Sequence, residues 1–171
     1  KKNARLKFGF SKNDLVIGIV GRFDPLKDYE NFINAVTIVS KKIKNAKFFM
    51  IGQDVNLSNK FFECLIKKSK IPDKFILLDE QNNIPFCLAA MDVFCLSSKK
   101  EGFPNVVCEA MAMKIPCLVT DVGAASEIVG NTGIVVAPKN PIVLANALES
   151  MIKKGSKKRN ELGKLARLRV V

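Results

Sequence analysis

The chain has 171 residues, 48% of them hydrophobic, and a formal net charge of +12 from 28 Lys and Arg against 16 Asp and Glu. That length and apolar content suit one domain with a real core, and no apolar run approaches the roughly 20 residues of a membrane span. With no histidine and no C-x-x-C among its five cysteines, the chain cannot itself supply a Ser-His-Asp or Cys-His nucleophile system or a zinc site of the usual spacing.

Taken in order, Lys1–Asn13 reads as a basic, irregular linker or edge segment, so residues 1–14 are set apart from the domain proper. Leu15–Val20 (LVIGIV) is a short apolar run closed by Gly21, the pattern of a buried strand. The loop GRFDPLKD turns at Asp24–Pro25, and a helix follows from Asp28 or Tyr29 to about Ile43 with an apolar face. Lys47–Ile51 is a second strand. A helix from about Ser58 to Ser69, with Ser58 as N-cap, leads to a third strand at Phe75–Leu78. After the loop Gln81–Asn83 come a short helix over Ile84–Met91 and a fourth strand at Val93–Leu96. A fifth strand is Cys117–Thr120, a short helix runs from Gly123 to Val129, and Gly133–Val136 is the sixth strand. Pro141–Lys153 is an amphipathic helix, and the basic terminal helix at Lys157–Arg169 falls in a tail set at residues 156–171. Strands alternating with helices predict an α/β fold: a Rossmann-like parallel sheet of about six strands with helices on both faces, in a domain spanning 15–155. Ligands bind such sheets outside the strands' carboxyl ends.

Cys64, Cys87, Cys95, Cys108 and Cys117 read as small buried hydrophobes in a reducing compartment. Lys153–Arg169 carries eight basic residues and one acidic, Glu161. This tail suits either a solvated helix face or an anionic surface. Without interleaved aromatics it argues against nucleic acid, which leaves an anionic membrane surface as the further partner to consider.

The chemistry concentrates in Ser97–Gly123, SSKKEGFPNVVCEAMAMKIPCLVTDVG. It reads as strand, glycine-containing loop, helix, strand, with Pro104 in the helix's first turn. That order points free backbone N–H groups and the positive helix end over the sheet edge, which suits phosphate. Glu101 lies in the loop and Glu109 about 7–8 Å along the helix axis at 1.5 Å per residue. A carboxylate there accepts paired hydrogen bonds from vicinal hydroxyls; alone, two acids at this spacing also fit a solvated helix face. The G-x-G-x-x-G and G-x-x-x-x-G-K-[ST] phosphate motifs are absent. Arg22 and Lys27, on the loop leaving the first strand, are a fork and a point charge suited to phosphate, although Arg22 also has Asp24 and Glu30 as neighbours to pair with.

GRFDPLKDYENF after a first strand, then EGFPNVVCEAMAMKIPCLVTDVGAASEIV, then TGIVVAP, closely resembles the C-terminal domain of glycosyltransferase family 4, retaining enzymes of GT-B architecture, from about Leu15 to Ala147. The resemblance implies a donor domain for a UDP- or GDP-linked hexose in polysaccharide or glycolipid biosynthesis. Arg22, Lys27 and Asn105 match the positions that bind the donor diphosphate. Gly102, Phe103 and Pro104 match the loop by the sugar. Glu101 matches the first, catalytic glutamate of the E-x7-E motif, beside the sugar hydroxyls, and Glu109 matches the ribose-binding second. Asp79, Ile84 and Pro85 match the nucleobase loop. No metal and no separate cofactor is expected. The acceptor would be held by an N-terminal domain outside this chain, so the fragment is expected to be inactive alone. The resemblance also implies a cytoplasmic enzyme, with the inner face of the membrane as a peripheral location. A non-catalytic nucleotide-binding module, and behind it a basic nucleic-acid- or membrane-binding domain, are the alternative readings. Two departures from the family pattern stand beside the site: Met113–Lys114 replaces its small-glycine pair after the helix, and Gly123–Ala124 replaces a glycine pair.

Overall fold

A computed structural model describes residues 1–171. Six parallel strands, β1 (Leu15–Val20), β2 (Ala46–Ile51), β3 (Phe75–Leu78), β4 (Val93–Leu96), β5 (Cys117–Thr120) and β6 (Ile134–Val136), form one sheet in the order β3-β2-β1-β4-β5-β6. The order reverses direction between β1 and β4, and at that switch point the carboxyl ends of neighbouring strands diverge into a crevice.

Strand side chains alternate between faces, and the two faces make separate cores. Ile17, Ile19, Phe48, Met50, Cys95 and Leu118 pack beneath α2 (Tyr29–Lys42), α3 (Lys60–Ser69) and α7 (Pro141–Lys153). Val16, Val20, Phe49, Ile51, Phe94, Leu96 and Val119 face the other layer. That layer comprises α1 (Lys2–Lys7), α4 (Ile84–Leu88), α5 (Asn105–Ala112), α6 (Ala125–Val129) and α8 (Gly155–Val170). Gly18 sits in β1 where any Cβ would overlap the Met91 thioether, so the strand needs its glycine for the neighbouring side chain to fit.

Four expectations need correction. Residues 1–14 are not a linker. They form α1, bury Ala4 and Phe10, and set the rings of Phe8 and Phe10 4.9 and 5.2 Å from that of Phe49. Buried Arg5 anchors the segment: it pairs with Asp92 and donates to the carbonyls of Ala90, Ser11 and Asp14. The cap of α3 is Asn59, whose side chain accepts from Phe61 N–H at 3.0 Å, because the helix starts one residue later than Ser58 requires. The helix from Ile84 ends at Leu88 rather than Met91. Cys64 is exposed, since α3 turns Phe62 and Ile66 inward, one helical turn apart, and leaves Cys64 between them on the outer side.

Candidate active site

A cavity of about 540 Å³ opens over the carboxyl ends of β1, β2, β3 and β4. Four stretches of chain build it. Val20, Gly21, Arg22 and Lys27 come from the end of β1 and its loop; Gly52 and Gln53 follow β2; Glu80, Gln81 and Ile84 follow β3. Glu101, Phe103, Pro104, Asn105, Val106 and Glu109 come from the loop after β4 and from α5. The structure therefore brings together Arg22, Lys27, Asn105 and both glutamates, residues separated by up to 87 positions in sequence.

Local chemistry fixes each wall. The loop after β1 folds into a 3-10 turn, Pro25–Lys27, because the Asp24 carboxylate accepts from Leu26 N–H at 2.8 Å. The Ser97 hydroxyl, just past β4, donates to the carbonyls of Lys27 and Asp28 at 2.9 and 3.1 Å. Lys99 adds a backbone bond to the Leu26 carbonyl at 2.7 Å and an ion pair to buried Asp28 at 3.1 Å. The cation-bearing loop is thus stapled to the strand edge that carries Glu101. Tyr29, buried at the start of α2, donates its hydroxyl to the Gly21 carbonyl, and burial pushes its phenol up from the ordinary range. Gly52 stands against the same carbonyl, so closely that a Cβ there would overlap it. Gly123, at φ +52°, leaves no room for a Cβ against the carbonyls of Glu101 and Gly102. Ala124 N–H donates to Gly102 at 2.9 Å, which holds the glutamate loop from its far side.

Glu101 is nearly buried; its Oε1 accepts from Lys27 Nζ at 2.7 Å and from Ser98 Oγ at 2.6 Å. Arg22 extends into solvent and meets Asp24 at 3.5 Å, a weak exposed pairing that an entering anion displaces at little cost. No side chain caps α5, and its first residues, Asn105 and Val106, line the cavity. The Asn105 N–H is taken by the Phe103 carbonyl at 3.0 Å, which leaves the Val106 N–H open at the cavity; an unpaired N–H at a helix start favours an anion. Pro104 stands at the N-cap rather than inside the first turn.

Not every expected residue reaches the cavity. Gly102, Asp79 and Pro85 lie outside its lining, whereas Ile84 is in it. The Asp79 carboxylate accepts from the N–H groups of Asp54 and Glu80, both at 2.9 Å, and from the Asn56 amide at 2.7 Å. Glu80 N–H first, then these other donors, hold its carboxyl below the ordinary range. Its work is to tie the loop after β2 to the loop after β3. Gln53, Glu80 and Gln81 line the cavity and carry no motif; their one sequence signal is that they follow the ends of β2 and β3. No cluster of three or more His, Cys, Asp or Glu side chains is placed to hold a metal ion, and no helix is long and apolar enough to cross a membrane.

Comparison with known proteins places this arrangement. The sequence model of the family described as "Glycosyl transferases group 1" matches residues 1–169. N-acetyl-alpha-D-glucosaminyl L-malate synthase of Bacillus anthracis is 27% identical over 163 residues, covering 94% of this chain and 42% of that protein. The chain thus spans less than half the length of that relative. The crystallised C-terminal domain of a glycosyl transferase group 1 family protein (LpcC) from Francisella tularensis superposes with a TM-score of 0.81 at 27% identity. That match covers 99% of this chain and 92% of that one. Anabaena Alr3699/HepE, solved in complex with UDP-glucose, shares the fold with a TM-score of 0.86 at 22% identity, over 98% of this chain and 46% of its own.

Proposed function

The chain belongs to the glycosyl transferases group 1 family, and on that premise we propose that it is the donor half of a retaining family 4 enzyme with GT-B architecture. It takes a hexose-type sugar from a nucleoside-diphosphate sugar, and an N-terminal domain beyond this chain supplies the acceptor. The observation that carries the reading is the convergence of Arg22, Lys27 and the uncapped start of α5 on one cavity, with Glu101 and Glu109 also in its lining. UDP is the nucleotide favoured, since HepE, of the same fold, was solved with UDP-glucose.

The chemistry follows from the charges. As the sugar–phosphate bond breaks, negative charge grows on the diphosphate. Arg22, Lys27 and the open Val106 N–H at the start of α5 line the same cavity and stabilise that charge, so the transfer is metal-independent. The free oxygen of Glu101 takes the sugar hydroxyls beside the Phe103–Pro104 loop. Glu109, farther along α5, takes the ribose, and Gln81 and Ile84 lie against the base. Alone, the chain binds donor without transferring sugar. The enzyme works in the cytoplasm. The exposed outer side of α8, with Lys157, Lys158 and Lys164 beside Leu165 and Leu168, supports contact with the anionic inner face of a membrane.

Calorimetric titration of this chain with UDP and GDP tests the reading. Arg22→Ala and Lys27→Ala should each weaken the preferred nucleotide by about tenfold or more, as expected for loss of a charge-assisted bond. Affinity unchanged from that of the unaltered chain in both variants would remove the diphosphate assignment.

A further inference from the structure

The two serines that follow β4 divide the work of the site. Ser97 holds the backbone of the cation loop, as described above. Ser98, fully buried, points its hydroxyl the other way and donates to Glu101 Oε1 at 2.6 Å. The same oxygen takes Lys27 Nζ at 2.7 Å. The Ser98 carbonyl accepts from the hydroxyl of Thr120, also fully buried, at 2.8 Å. Ser98, two residues past β4, is therefore tied to β5. Glu101 Oε2 makes no hydrogen bond within the protein and belongs to a side chain that lines the cavity.

We infer that Ser98 is a positioning residue: with Lys27 it locks one oxygen of the Glu101 carboxylate so that the other is presented to the sugar of the bound donor. The inference rests on the donor reading of the cavity. Its physical content is preorganisation. A glutamate has three rotatable side-chain bonds, and freezing them on ligand binding costs affinity. Lys27 cannot do this alone once a diphosphate arrives, because its ammonium then has phosphate oxygens to serve as well. The Ser98 hydroxyl is a neutral, buried donor outside the cavity lining, so ligand oxygens do not compete for it and its bond to Glu101 persists in the loaded site. Ser98 acts through Glu101 and should influence the sugar, leaving the diphosphate contacts as they are.

The experiment compares, by calorimetry on this chain, the dissociation constants of a nucleotide sugar and its parent diphosphate, using UDP-glucose with UDP and GDP-mannose with GDP. For whichever pair binds, Ser98→Ala should raise the ratio of the sugar nucleotide's constant to the diphosphate's by about tenfold, the scale of one hydrogen bond to a charged group. Affinity for the diphosphate itself should stay within about twofold. Ser98→Cys fills the buried site with a weak donor and should move the ratio in the same direction should alanine lose the fold. In a Glu101→Ala background, Ser98→Ala should change nothing further, since the two share one interaction. An unchanged ratio, an equal loss for sugar nucleotide and diphosphate, or a full Ser98 effect without Glu101 would each overturn the inference. If the unaltered chain binds none of the four compounds, the donor reading falls, and the inference with it.

Discussion

Lys114 occupies one of the few left-handed backbone positions in the chain, at φ +60°. It ends α5 in a Schellman arrangement, with Lys114 N–H bonded to the Met111 carbonyl at 2.9 Å and Ile115 N–H to Ala110 at 3.0 Å. This position, the second of the Met113–Lys114 pair, is where the family pattern carries glycine, and the geometry gives the reason: only glycine adopts that conformation without a Cβ penalty of roughly 1–2 kcal/mol. Lys114→Gly should therefore raise stability by about 1 kcal/mol, read as a higher midpoint in urea with an unchanged slope. A lower midpoint would mean that the lysine side chain makes a compensating contact. At this scale residue type and position at strand ends singled out Arg22, Lys27, Glu101 and Glu109 as candidates, the family resemblance added Asn105, and the structure lines one cavity with all five. It did not reveal Ser98, whose hydroxyl matters only because the fold turns it toward Glu101. Nor did it reveal that Asp79 spends its carboxylate on the loop after β2 instead of facing the cavity.

Among the elements, α1 depends most on distant partners. It has no side-chain cap and is too short to persist alone. What holds it is Arg5, paired with Asp92 while Asp92 also accepts from Val16 N–H at 2.8 Å. Both charges are largely shielded from water. Arg5→Ala removes this pair and the donors to three carbonyls, while Lys1 still meets Asp92 at 2.6 Å, so it should cost about 2 kcal/mol, measured as a fall in chemical-denaturation stability with α1 amides losing exchange protection. A loss below 0.5 kcal/mol would contradict the anchor. The six strands were plain in the sequence because buried parallel strands are continuous apolar runs bounded by glycine and polar loops. The N-terminal segment was not, since much of its order comes from distant partners, Phe49 against its rings and Ala90 and Asp92 against Arg5, and periodicity reports only local structure. The one-residue shift from Ser58 to Asn59 has a similar origin: both are good caps, and the bonds of the preceding loop, from Ser58 and Asn59 N–H to the Asn56 side chain, settle the register.

For the whole molecule, the decisive feature is where the sheet changes direction. Strand order places β1 beside β4, so the loop carrying Arg22 and Lys27 and the loop carrying Glu101 leave adjacent strands at the same edge. Hydrophobic patterning predicted the layers, but the neighbourhood of β1 and β4 is a matter of topology, and on it hangs the meeting of residues 22, 27, 101, 105 and 109 in one cavity. Solving the structure of this chain soaked with UDP tests that meeting most directly. The account predicts the diphosphate within hydrogen-bonding distance of Lys27 Nζ and the backbone N–H groups at the start of α5, with the ribose hydroxyls on the Glu109 carboxylate. Nucleotide bound elsewhere, or in this cavity with its phosphates turned away from Lys27 and Asn105, would contradict it.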